Sequence, residues 1–245
     1  IKVMKEACHK TLSKGIPSIS GLTCGDAHRL INYINNKETL CSKDLLKGVA
    51  YALSCFEVNT SMGKIVAAPT AGSCGILPAS LFLTAEKIGA SEEDLINAFA
   101  TASAIGSIIE RNATISGAEG GCQAECGTAA AMAAGAIVEM CKGTAKQSFD
   151  AASMAIKNVM GLVCDPIAGL VETPCAKRNA SGVVNAMLCA DLALAGIECF
   201  VPFDEVVDAM YEVGKSLPCS LRETGLGGIA GTPTGIRIRK KLFGE

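Results

Sequence analysis

Residues 91–112 read SEEDLINAFATASAIGSIIERN. Ser91 and Asp94 stand in capping-box positions, where each side chain can satisfy the other residue's backbone N–H at the start of a helix. Leu95, Phe99, Ala102, Ile105 and Ile109 then fall along one helical face. The same pattern recurs on both sides. SKDLLKGVAYALSCFEVN (42–59) opens on Ser42 as N-cap, with Leu45, Leu46, Val49, Leu53 and Phe56 at helical spacing. SFDAASMAIKNVMG starts near Ser148 and stops at Gly161, a C′ glycine. NAMLCADLALAG and DEVVDAMYEVG read likewise, the second ending at Gly214 with Pro218 beyond. Period-two alternation is nearly absent, so the chain is expected to be all-α, a single domain over 1–245.

Composition agrees. Hydrophobic residues make up 49% of the chain, yet it has no tryptophan and 4% aromatics, so Ala, Leu, Ile, Val and Met must build the core. Small aliphatic residues suit close-packed helices better than a β-sandwich. A formal net charge of -2 leaves no basic field for nucleic acid. The cluster Arg237, Arg239, Lys240, Lys241 reads as a solvated terminal stretch. MLCADLALAGIECFVPF (187–203) carries Asp191 and Glu198 within its apolar run, which excludes a membrane span. Ile1 to Lys5 lead into no apolar signal core, and the start at Ile1 points to residues upstream of it. Thirteen cysteines, an odd number without a secretion signal, argue for a reducing cytoplasm and for free or metal-bound thiols. Cys55, Cys141, Cys189 and Cys199 lie within apolar segments and read as core residues.

Four glycine-rich stretches interrupt the helices: NTSMGKIVAAPTAGSCGILPA (59–79), NATISGAEGGCQAECG (112–127), CDPIAGLVETPCAKRNASG (164–182) and ETGLGGIAGTPTG (223–235). Several are too apolar for ordinary surface loops. They suit a site built from backbone and small side chains. Cys122, Cys164 and Cys175 lie in them. Thiolates are soft ligands for iron–sulfur clusters, zinc or copper(I). However, Cys122-x₃-Cys126 is the one close spacing, and a structural zinc site needs four ligands. From spacing alone the metal signal is weak, and buried or incidental cysteines explain the pattern better.

Four long segments carry a resemblance. EVNTSMGKIVAAPTAGSCGILPA, ATISGAEGGCQAECGTAAAMAA, CDPIAGLVETPCAKRNA and LRETGLGGIAGTPTG occur in order and cover most of the chain. Together they resemble the α chain of iron–sulfur-dependent L-serine dehydratase. The resemblance implies a [4Fe–4S] cluster held by Cys122 in GGCQAE, Cys164 in CDPIAG and Cys175 in ETPC. It implies conversion of L-serine to pyruvate and ammonia. Four cysteines close a cubane for electron transfer, whereas three leave one iron open as a Lewis acid for the departing hydroxyl. Pro and Gly within 165–174 would hold a stiff turn with both thiolates on one side. Asp165 and Glu172 are candidate supports, each equally suited to capping or surface roles.

SMGKIVAAPTAGSCG is then the expected substrate loop, with donors from Ser61, Lys64, Thr70 and Ser73 and backbone approach at Gly63 and Gly72. Lys64 has two rivals, a pyridoxal phosphate Schiff base and an ordinary solvated lysine. Cys74 and Cys126 lie inside the motifs but are not expected ligands; Cys126 is one helical turn from Cys122 and is the obvious competitor. Asn112 and Glu119 flank the first ligand. Single-chain members of the family end in a cysteine, whereas these residues end IRKKLFGE and Cys219 is the last thiol. The family also needs a β module, so a β chain is the expected partner. His9 and His28 belong to no catalytic motif, and no base is named. Two alternatives stay open: a related cluster enzyme such as an L-cysteine desulfidase, and a non-catalytic thiol or iron scaffold.

Overall fold

The computed structural model describes residues 1–244. Ser91 and Asp94 form the reciprocal cap, and the helix they start runs Glu92–Asn112. Eleven α-helices follow one another among the described residues: α1 (Lys2–His9), α2 (Asp26–Asn36), α3 (Lys43–Thr60), α4 (Ile76–Ile88), α5 (Glu92–Asn112), α6 (Gly117–Gly120), α7 (Thr128–Met140), α8 (Ala145–Lys157), α9 (Cys175–Leu194), α10 (Phe203–Ser216) and α11 (Pro233–Phe243). Two isolated bridges, Pro17 with Cys24 and Cys164 with Arg222, are the only β pairings among these residues. The all-α expectation holds. No helix is long and apolar enough to cross a membrane.

Boundaries differ from expectation where stronger local chemistry wins. Ser42 caps α3 by accepting from Leu45 N. Helix α8 begins three residues before Ser148, because Thr144 and Gln147 complete a second capping box. Gly161 adopts φ +86°, but α8 has already ended at Lys157. Helix α10 runs through Gly214 to Ser216, just before Pro218.

The sequence TAAAMAAGAIVEM makes α7 the hub. Every residue of it except Glu139 is buried. It packs against α4, α5, α8 and α9, with α3 also lying on α9. Small side chains permit this crowding: a Cβ on Gly135 would lie 3.1 Å from Ser148 O of α8. The core is therefore close-packed alanine, with larger residues such as Tyr51, Phe56, Leu81 and Ile109 filling the gaps. Loops 61–75, 113–127, 158–174 and 217–232 link α3 to α4, α5 to α7, α8 to α9, and α10 to α11. Hydrogen bonds tie the four together, so one end of the bundle is built of the glycine-rich sequence.

Candidate active site

Cys122 precedes a π-helical turn, Gln123–Gly127, that leads into α7. Cys164 follows α8, and Cys175 is the first residue of α9. All three are buried, at 2%, 2% and 6% exposure. Burial drives the Cys164 thiol well above its ordinary range, and negative charge on Cys122, Glu125, Glu223 and Cys175 adds to the effect. Burial likewise raises Cys175 to about 12, reinforced by Cys122 and opposed by Arg178. A helix N-terminus favours a thiolate, but desolvation outweighs it at Cys175. Cys122 is lowered, first by a hydrogen bond from Cys126 and then by the Arg178 charge, against its own burial. Charge on Cys122 thus opposes ionisation of Cys164 and Cys175, and the Arg178 guanidinium favours it at Cys122 and Cys175.

That guanidinium is locked in place. Arg178 Nη2 donates to Asp165 Oδ1 at 2.8 Å, and Nη1 donates to Val163 O at 2.9 Å. Asp165 Oδ2 accepts from Ile229 N at 2.7 Å. The Asp165 side chain is 3% exposed and that of Arg178 14%. Asp165 therefore clamps α9 and the 217–232 loop onto the Cys164 loop. Cys164 N donates to Leu221 O (2.8 Å) and Glu223 N donates to Cys164 O (2.7 Å). This pairing brings Glu223 to the site at φ +64°, a left-handed conformation that costs a non-glycine residue ~1 kcal/mol. Glu172 works from the other end, accepting from Ser20 Oγ at 2.5 Å and Thr23 Oγ1 at 2.6 Å.

Asn179 joins the cysteine loop to the expected substrate loop. Fully buried, it donates through Nδ2 to Gly72 O (2.7 Å) and Cys175 O (3.0 Å), and its Oδ1 accepts from Gly75 N (2.9 Å). Beside it opens a cavity of about 740 Å³, lined in part by Ser20, Asn59, Thr70, Gly72, Glu125 and Glu223. Thr70 Oγ1 donates to Glu125 Oε1 at 2.8 Å. Burial raises Glu125, the Thr70 hydroxyl opposing and the Glu223 charge adding. Donor atoms of Glu125, Cys164 and Glu223 lie within 4.8 Å of one another.

The expected substrate residues divide. Thr70 and Gly72 line the cavity. Ser73 is buried behind them, its Oγ 3.1 Å from Thr70 Oγ1. Ser61 Oγ donates to Val58 O, and Gly63 N also donates to Val58 O, so both finish α3 instead of lining the cavity. Lys64 is exposed and is not among the lining residues. Asn112 bonds back to Ile108 O within α5, and Glu119 accepts from Thr114 Oγ1. His9 stacks on Tyr51, and His28 meets Leu12 O. Cys126 lies with its Sγ 3.4 Å from that of Cys122.

Sequence reasoning passed over Glu125, Glu223, Arg178 and Asn179. Each sits inside a quoted motif, and the available signal was a charged or amide side chain embedded in apolar, glycine-rich sequence. As a donor set, three buried soft thiols beside a fixed cation fit a thiophilic metal group, because thiolates buried without a compensating cation are costly. A Cβ on Gly117 would fall 2.7 Å from Glu125 Oε2 and 3.2 Å from Cys164 Sγ. Glycine there leaves room at the mouth of the thiols.

Comparison with known proteins bears on the same residues. The family described as serine dehydratase alpha chain matches residues 1–230. The chain is 54% identical over 245 residues to "L-serine dehydratase, alpha chain" of Peptoniphilus asaccharolyticus, covering all of this chain and 84% of that protein. It is 52% identical over 244 residues to "Probable L-serine dehydratase, alpha chain" of Bacillus subtilis (strain 168), covering all of this chain and 81% of that one. Against "L-serine dehydratase TdcG" of Escherichia coli (strain K12) it is 42% identical over 182 residues, 74% of this chain and 40% of that protein. With its helices, its four glycine-rich loops and its thiol-lined end accounted for, the chain belongs to the serine dehydratase alpha chain family.

Proposed function

We propose that this chain is the cluster-bearing half of an L-serine ammonia-lyase, a carbon–oxygen lyase that yields pyruvate and ammonia. The carrying observation is a set of three buried thiols with a locked guanidinium, of which Cys164 lies within 4.8 Å of Glu125 and Glu223, two carboxylates of the cavity lining. Cys122, Cys164 and Cys175 would hold a [4Fe–4S] cluster. When bound, such a group supplies an open iron as Lewis acid for the substrate's hydroxyl oxygen. Arg178 offsets thiolate charge, and Asp165 keeps that guanidinium from turning away. Glu125 and Glu223 present carboxylates to the cavity, the partners an amino acid's ammonium group requires. Thr70 fixes the orientation of Glu125, and Asn179 sets the distance between the substrate loop and Cys175.

The cavity lining contains no lysine, arginine or histidine among the described residues. The substrate carboxylate must therefore find its donors in backbone N–H groups, in the side-chain amide of Asn59, or outside these residues. This need, and the words "alpha chain" in the names of its relatives, support a β chain as partner. Residues 1–245 form one catalytic unit in this reading, and thirteen thiols suit a reducing cytoplasm.

Anaerobic reconstitution of the α–β enzyme, followed by addition of L-serine, tests the proposal. A substrate-dependent change in the cluster's spectrum with pyruvate release is expected. Sulfide release from L-cysteine without pyruvate from L-serine would reassign the substrate. An unaltered spectrum in a fully loaded enzyme would leave only a scaffold.

A further inference from the structure

The π-helical turn Gln123–Gly127 has a chemical consequence. An i→i+5 turn holds more residues than the 3.6 of an α-helix. Side chains four apart then come nearer to eclipse than on a regular helix. Cys122 and Cys126 are four apart, and their Sγ atoms lie 3.4 Å from each other. A disulfide needs about 2.05 Å, a closure the two side chains can share by small rotations. Cys126 also lines a second cavity, of about 440 Å³, with Asn158, Leu162, Arg178, Ser181 and Asn185. That cavity shares no lining residue with the first. A small oxidant therefore has a route to Cys126, and to the Cys122 sulfur 3.4 Å beyond it, that does not pass through the first cavity.

We infer that Cys122 and Cys126 form an oxidative modification site: when the thiols carry no cluster, peroxide joins them as a reversible disulfide. The Cys122 sulfur gives an electron pair to one peroxide oxygen, the O–O bond breaks, and the other oxygen leaves as water with the thiol proton. A sulfenic acid remains on Cys122. Cys126 Sγ, 3.4 Å away, attacks that sulfur, the S–O bond breaks, and the oxygen leaves as water with the second thiol proton. Two thiols and one peroxide give one disulfide and two waters. A sulfur held in the disulfide escapes irreversible oxidation to sulfinic acid, and thiol reductants restore it. The consequence for cluster assembly rests on the ligand reading above, whereas the disulfide itself does not.

The sequence provides a clean assay. Glu119, Glu125 and Glu139 are cleavage points for a glutamate-specific protease, which separates Cys122 (peptide 120–125) from Cys126 (peptide 126–139) and both from Cys141. The full α–β enzyme is stripped of iron, treated with hydrogen peroxide, alkylated and digested. Peptides 120–125 and 126–139 should travel as one disulfide-linked species that thiol treatment splits. With a cluster loaded beforehand, that species should fall at least about tenfold. In Cys126→Ser, peptide 120–125 should carry sulfinic acid, and iron reloading after thiol treatment should fall to less than about half that of wild type. Linkage of Cys122 to Cys164 or Cys175 instead, or full alkylation of both thiols after peroxide, overturns the proposal. A linked species in wild type alongside unimpaired reloading of Cys126→Ser overturns the protective role. Iron content of Cys122→Ser reports separately on the ligand reading.

Discussion

The molecule holds two triads of buried cysteines, and they differ in what surrounds them. Cys8, Cys55 and Cys74 are 0–1% exposed, come from α1, α3 and the turn before α4, and lie within the apolar core. Cys55 Sγ donates to the backbone carbonyl of Cys74 at 3.3 Å. Cys55 hydrogen bonding and burial raise both Cys8 and Cys74, while the same hydrogen bonds lower Cys55. Cys122, Cys164 and Cys175 are almost equally buried, yet Arg178 acts on Cys122 and Cys175, and Cys164 lies within 4.8 Å of Glu125 and Glu223, which line the cavity. Burial alone therefore does not distinguish the proposed ligands. A fixed counter-cation, nearby carboxylates and an adjoining cavity set them apart.

The sharpest way to break this contrast is to exchange serine for each loop cysteine. Cys122→Ser, Cys164→Ser and Cys175→Ser should each lose most of the iron under anaerobic reconstitution and more than ~100-fold of L-serine turnover, since disturbing a supporting group alone costs 10–100-fold. Cys8→Ala and Cys74→Ala should keep iron and turnover while losing ~1 kcal/mol each in denaturant unfolding. Equal iron loss in both triads would erase the distinction.

Asp165→Asn comes next. It leaves the buried Arg178 charge without its partner and should cost ~3 kcal/mol of stability together with iron retention. Asn179→Ala strands the Gly75 N–H and frees the two loops from each other. A loss of ~2 kcal/mol is expected, with a rise in KM larger than the fall in kcat. Full stability in either variant would show that the clamp is decorative.

The smallest effects belong to the regular helices. Ser91→Ala should cost ~1 kcal/mol without touching iron content. Asp94 is held down to about 2, first by Lys142 and then by the Ser91 side chain and backbone. A depressed carboxylate contributes stability above its unfolded pKa, here 3.8, and loses it as pH falls through about 2. The stability difference between wild type and Asp94→Asn should accordingly be constant above about pH 5 and vanish below about pH 2. Because Asp94 is exposed, the difference is small.

Helix positions and their caps were legible in the sequence because they are local. Ser42, Ser91 and Asp94 act within one turn, and apolar spacing reports a helix face without knowledge of its partner. The motif cysteines as candidate ligands, and the loop that brings Thr70 and Gly72 to the cavity, were named from long, ordered segments of specific wording. The roles of Arg178, Asp165, Asn179, Glu125 and Glu223 were not. Asn179 meets a loop more than a hundred residues away, and Asp165 reaches Ile229 across 64 positions. Their meaning depends on which chain segments share a desolvated space, and desolvation is a property of the packed whole. The sequence determined an alanine-rich helical bundle with a thiol-bearing end. Only the tertiary structure decided which buried thiols meet a cation and a cavity, because electrostatic fields and excluded water arise from neighbours distant along the chain.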